Sequence, residues 1–131
     1  MSRKAGVGKD PVTGAEVDLS GRAILGRNQD LSPLFDLNGD ELSEVTAVVY
    51  HSWEMSRHRL VSAERPGNRV ITTAPAPWPF FKWGAQQRYH LESFRSALNA
   101  PGEWFLARDG VLFYIPLQGE DMTRAEVIAP V

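Results

Sequence analysis

The sequence contains no cysteine. That excludes a disulfide framework, a thiolate metal site and a cysteine nucleophile, and it leaves the compartment open. Long apolar runs are missing too, so no segment has the length of a membrane span. Neither charge dominates: 14 Lys and Arg stand against 16 Asp and Glu, for a net charge of −2. No bulk attraction to nucleic acid or to an anionic membrane follows, and neither is expected as a partner. Met1-Ser2-Arg3-Lys4 has no apolar stretch behind it, so the start does not read as a signal peptide. The chain does have 131 residues, 43% of them hydrophobic, enough for one globular domain with a core of its own.

Residues 1–30 are poor in large apolar side chains and read as a loosely structured lead-in, with turns at Asp10-Pro11 and Thr13-Gly14 and a short strand at Ala23-Ile24-Leu25. Residues 31–131 read as a single mainly-β domain. Asn38 and Glu41 have the spacing of a capping box, which predicts a short helix over about 39–44. Val45 to Tyr50 is β-branched and apolar on both alternating sets, as in a strand buried on both faces. Trp53 and Met55 extend its odd-numbered face, so the strand is expected to run on through Met55, with Trp53 buried. On such a strand His51 and His58 point to opposite sides. Arg57–Ser62 and Arg69–Thr73 flank Pro66-Gly67-Asn68 and predict a hairpin.

Ala74–Trp83 holds three prolines and four aromatics and should be an irregular crossing loop. Leu91, Phe94 and Leu98 fall at helical spacing within Gln86–Asn99, predicting a helix. Asp109-Gly110 between apolar runs predicts a two-residue type I′ hairpin pairing Leu106 with Phe113 and Trp104 with Ile115. Both of its faces are large and apolar, as for a central hairpin or one covered on each side. A last strand is expected at Ala125–Ile128. The fold class is mainly β: a small antiparallel β-barrel or sandwich-like domain with one short helix.

Few residues carry an unambiguous chemical signal. Gly6-Val7-Gly8-Lys9-Asp10 looks like a phosphate loop but has Asp10 where the hydroxyl belongs and no strand before it. Asp36, Asn38, Asp40 and Glu41 have Gly39 at the wrong place for an EF-hand, so capping is the better account. His51, His58 and His90 lack the i,i+4 spacing of a zinc clamp, and no metal or cofactor is expected. A Ser/His/Asp triad, which assembles from distant positions, stays open, although no Gly-x-Ser-x-Gly elbow is present. Glu54, Glu92 and Glu103 each sit beside aromatics and are the carboxylates of interest for glycosidase-type chemistry. Trp78, Phe80, Phe81 and Trp83 on a proline-stiffened loop suit either a sugar-stacking platform or core packing.

From Asp36 onward the order of segments resembles a known family. These are Val48-Val49-Tyr50-His51-Ser52-Trp53-Glu54-Met55-Ser56-Arg57-His58-Arg59, then Arg88-Tyr89-His90-Leu91-Glu92-Ser93. Ala100-Pro101-Gly102-Glu103-Trp104-Phe105-Leu106 with Leu112-Phe113-Tyr114 follows, and Ala125-Glu126-Val127-Ile128 closes the series. Together they resemble the insertion domain of large bacterial right-handed parallel β-helix proteins related to glycoside hydrolase family 141. The resemblance implies an accessory domain that shapes or flanks a glycan site, docks on the parallel β-helix of its parent chain and is not itself catalytic. It implies a secreted or periplasmic parent several times longer than this chain. Ligand contacts would then come from His51, Trp53, Arg57, His58, Trp78, Trp83, Glu92 and Glu103. A stand-alone sugar-binding module and a small glycosidase with paired carboxylates are the alternatives.

Overall fold

A computed structural model describes residues 3–4, 6–78, 80 and 87–128, with only the backbone described for Arg3 and Lys4. It is mainly β, with 34% strand against 14% helix. The chain divides into two compact units, Met1–Phe94 and Arg95–Val131. Among the described residues no helix is long and apolar enough to cross a membrane.

The larger unit is a curled antiparallel half-barrel. Its strands are β1 (Arg3–Lys4), β4 (Ala23–Leu25), β5 (Thr46–Tyr50), β6 (Met55–Glu64), β7 (Arg69–Thr72) and β8 (Arg88–Glu92). They form one sheet in the order β1-β4-β7-β6-β5-β8. The long strand β6 serves two partners: its first half pairs with β5, Thr46 opposite Arg59, and its second with β7, Ala63 opposite Val70. The register slips by one residue between Leu60 and Ser62. Such a bulge bends a strand and increases its twist, which lets β6 pass from one half of the sheet to the other. Pro66-Gly67-Asn68 supplies the β6–β7 turn as expected, with Gly67 and Asn68 both at positive φ.

After a single helical turn, α1 (Asn28–Leu31), the short helix α2 (Gly39–Glu44) starts where the sequence predicts. The Asn38 side chain accepts from the backbone N–H groups of Asp40 and Glu41, and the Glu41 carboxylate accepts from the Asn38 N–H. The helix delivers buried Leu42 and Val45 to the core and hands the chain directly to β5.

Residues 1–30 are not a loose lead-in, and the chain does not divide near 30. Strands β2 (Val7–Lys9) and β3 (Glu16–Asp18) pair as a hairpin, while β4 pairs with β7 inside the main sheet. Leu19, Ala23 and Ile71 form a buried cluster, with Val17, Leu25 and Val61 packed against it. Polar ties do the rest. Asp10 accepts from the Val12 and Thr13 N–H groups and pairs with Arg22. Arg22 in turn donates through Nη2 to the Thr72 carbonyl at 3.0 Å. The Thr13 and Val12 N–H groups, helped by Arg22, hold the Asp10 carboxyl down at about 2. These ties leave no hydrophobic periodicity, so pattern alone does not reveal them.

A second correction concerns residues 51–54. The strand does not run through to Met55; it reverses, with the His51 N–H bonded to the Glu54 carbonyl at 2.8 Å and Tyr50 paired with Met55. Trp53 therefore sits at a hairpin tip, 79% exposed, not in the core. A four-residue link without Gly, Pro or Asn, flanked by aromatic and apolar residues, reads as strand because nothing in it signals a turn.

A third concerns 86–99, where a helix is predicted. Gln86 lies outside the described residues, and Arg88–Glu92 is strand β8 on the open edge of β5. The same residues carry a period of two: Tyr89 and Leu91 to one face, Arg88, His90 and Glu92 to the other. Backbone pairing with β5 selects that period over the helical one, and Ser93 at φ 63° ends the strand.

The smaller unit is built on the hairpin of β9 (Trp104–Leu106) and β10 (Leu112–Tyr114). Leu106 pairs with Leu112, Phe105 with Phe113 and Trp104 with Tyr114. This register is one residue away from the expected one. Of the two turn residues only Gly110 takes a positive φ, 87°, whereas a type I′ turn needs two. The loop thus spans three residues, and the slip turns a different set of side chains to each face. Phe105 and Phe113 stack on the inner side with centroids 6.2 Å apart, and Arg95 lies 4.1 Å over Phe113. Trp104, Leu106 and Leu112 stay exposed, so one face is covered and not both. No strand forms over Ala125–Ile128, where Val127 and Ile128 are exposed.

Candidate functional site

Residues directly opposite in an antiparallel pair share a face. Val49 opposes Ser56 and Ala47 opposes His58, so Ser56 and His58 lie on the inner face of β6, the face of Val49. The turn at 51–54 keeps His51 on that side, so His51 and His58 share a face instead of diverging as expected from a continuous strand. Ser56 Oγ lies 2.7 Å from His51 Nε2 and 2.7 Å from His58 Nε2. Gln87, just before β8, reaches His51 Nδ1 at 3.0 Å and the Tyr50 carbonyl at 3.1 Å through the same Nε2. Buried Phe80 from the proline-rich loop lies perpendicular to His58 at 5.2 Å and parallel to His51 at 6.3 Å. Burial pushes His58 below its usual 6.5, and the nearby His51 adds to the effect.

His51 also forms a wall of a small, open hollow, lined further by Ser52, Trp53, Glu54 and Trp78. Three of the expected ligand contacts, His51, Trp53 and Trp78, thus meet in one place, with His58 behind them through Ser56. Trp83 and Phe81 lie outside the described residues. Arg57 and Glu92 are on the other face of the sheet, paired with each other across Val48. There Glu92 also meets His90 Nε2 at 3.4 Å, and the Tyr50 hydroxyl lies 3.1 Å from His90 Nδ1.

Glu103 belongs to the smaller unit. Its carboxylate accepts from the Asn99 and Ala100 N–H groups at 2.8 and 3.1 Å, which hold its pKa down and make it a turn cap. Glu54 is the one carboxylate among the described residues lining the hollow. Among those residues, no group of three or more His, Asp or Glu is placed to hold a metal ion.

No family model, curated protein or solved structure matches this chain. The site is therefore read from its own chemistry. Two indoles, a hydroxyl and a carboxylate around an open hollow offer flat apolar surface with hydrogen-bonding groups at its rim. Both imidazole nitrogens of His51 are engaged from within, so that ring contributes shape to the hollow.

Sequence reasoning passed over Gln87 and read Ser56 only as a strand position. The signal for both is pairing: once Val49 is placed opposite Ser56, His51, Ser56 and His58 must share a face, and the β8 register brings Gln87 alongside.

Proposed function

We propose that this protein is a non-catalytic carbohydrate-binding module, acting as an accessory domain of a larger carbohydrate-active protein. The observation that carries the reading is Trp53, 79% exposed at the β5–β6 tip and facing the same hollow as Trp78. A large aromatic this exposed at a turn leaves most of its surface open to a ligand. Beside a second indole, Ser52 and Glu54 it supplies what a pyranose ring uses: an apolar face to stack on and acceptors for its hydroxyls. Hydrolysis by paired carboxylates is less well supported, since Glu92 is engaged with Arg57 on the opposite face and Glu103 caps a turn in the other unit. The resemblance to insertion domains of parallel β-helix proteins agrees with such an accessory role. The exposed Trp104, Leu106 and Leu112 give the smaller unit an apolar face of the kind a parent β-helix would cover.

Titration of the purified chain with a broad panel of neutral and acidic oligosaccharides tests the reading. Saturable binding with a change in indole fluorescence is expected for at least one sugar. Trp53→Ala and Trp78→Ala should each weaken it by about tenfold or more, the size of a lost stacking contact, with Trp53→Ala leaving the melting temperature unchanged. Flat titrations across the panel would sink the proposal, as would hydrolysis abolished by replacing one carboxylate.

A further inference from the structure

The hydrogen bonds around Ser56 have a fixed direction. A backbone carbonyl only accepts, so the Gln87 Nε2 that meets the Tyr50 oxygen is the donor end of the amide. The same nitrogen meets His51 Nδ1, which must then accept. Neutral His51 consequently carries its proton on Nε2 and donates to Ser56 Oγ. The Ser56 hydroxyl is left to donate onward to His58 Nε2, so neutral His58 carries its own proton on Nδ1. One amide thus sets opposite tautomers in two histidines of one chain. A proton added at His58 Nε2 would aim two imidazole N–H groups at a single oxygen and leave the serine hydrogen without its acceptor. It would also place a cation, 8% exposed, in a site that Phe80 helps to close, where burial disfavours the charge.

Resting on the carbohydrate reading of the hollow, we propose that Gln87, His51, Ser56 and His58 form a proton-sensitive latch: at neutral pH it holds His51 as the wall of the ligand site, and protonation of His58 releases that wall and reshapes the hollow. Among the described residues, these titratable groups bear on His58. His51 is the other titratable group of the hydrogen-bond relay, Glu54 lines the hollow beside His51, and Tyr89 shares the inner face of β8. The Tyr89 hydroxyl is turned to Asp30 at 3.3 Å, and burial, then the Asp30 charge, push it up, so it stays protonated throughout the range in which histidine titrates. Burial lowers the point at which His58 takes its proton, so the latch stays engaged through neutral pH and lets go in acid.

Nitrogen-15 NMR of the whole chain from about pH 7.5 to 4.5 tests this, because ring shifts report tautomer and charge, while indole N–H signals report Trp53 and Trp78. At neutral pH His51 should show the Nε2–H form and His58 the Nδ1–H form. The Trp53 and Trp78 signals should move with the His58 midpoint, below that of an ordinary histidine. In Ser56→Ala that co-movement should be lost. Gln87→Glu, which replaces the donor by an acceptor, should flip His51 to the Nδ1–H form. The same tautomer in both rings, or indole signals indifferent to the His58 titration, would overturn the latch. Cellohexaose and glucosamine oligomers, titrated in parallel at both ends of the pH range, keep the two readings apart. Absence of sugar binding with the NMR pattern intact removes the carbohydrate reading alone.

Discussion

On one face of the β5–β6–β8 sheet His51 and His58 meet through Ser56 under Phe80; on the other His90 lies between Tyr50 and Glu92, with Arg57 alongside. The residue types are nearly the same and the two groups are a strand's thickness apart. The difference is water. On the inner face Phe80 and the neighbouring strands limit its access, most of all at buried His58, so the hydrogen bonds there are costlier to break and the order of donors and acceptors matters more. On the outer face solvent can replace any partner, and an ion pair such as Arg57–Glu92 contributes little. Burial of Val48 and Thr46 beneath those long outer side chains is the main structural return from that face.

The sharpest way to break this comparison is to remove the apolar support of the inner face. Leu60 is fully buried, on the same face as His58 and at the junction of the two halves of the sheet. Leu60→Ala should cost about 2–5 kcal/mol of stability in chemical denaturation. A smaller loss would show that the inner face is looser than described.

Acid sharpens the comparison without a mutation. His58 in the folded chain binds its proton less readily than in the unfolded chain, so the unfolded state gains protons first as pH falls. Its contribution is complete above about 6.5 and is lost progressively below that, toward the lowered folded value. Denaturation midpoints measured across that range should decline, and His58→Gln should flatten the decline. The smallest effect belongs to the outer face. Arg57→Ala should change stability by no more than about 1 kcal/mol, and the difference should shrink further in molar salt. A larger, salt-resistant loss would mean that the outer network is more than a solvated rim.

These contrasts also explain what the sequence made legible. The α2 cap and the β6–β7 turn were readable because each is decided within a few residues, by Asn38 with Glu41 and by Pro66-Gly67-Asn68. The β5–β6 turn was not, because Trp53 continues a strand pattern and only pairing between Val49 and Ser56 reveals the reversal. Strand β8 carried two competing periods, and the open edge of β5 decided between them. The hairpin of the smaller unit was foreseen in place but not in register, since Asp109 keeps negative φ and one residue more enters the loop. Of the site, His51 and Trp53 are named through the family-like segment and Trp78 from its place on the proline-stiffened loop. Their convergence, and the parts played by Gln87 and Ser56, depend on contacts between strands that no local pattern encodes.

The edge strand β8 has a consequence for how the molecule behaves in company. A sheet edge exposes unpaired backbone groups, and a flat apolar edge invites another chain to add itself as the next strand. Here the outer side of the edge is Arg88, His90 and Glu92, and Ser93 turns the backbone away after five residues. A second copy approaching this edge would meet polar and charged side chains on that side and would have to pair along a template too short to hold it. The half-barrel can therefore stay open at β8 without recruiting its neighbours into a growing sheet.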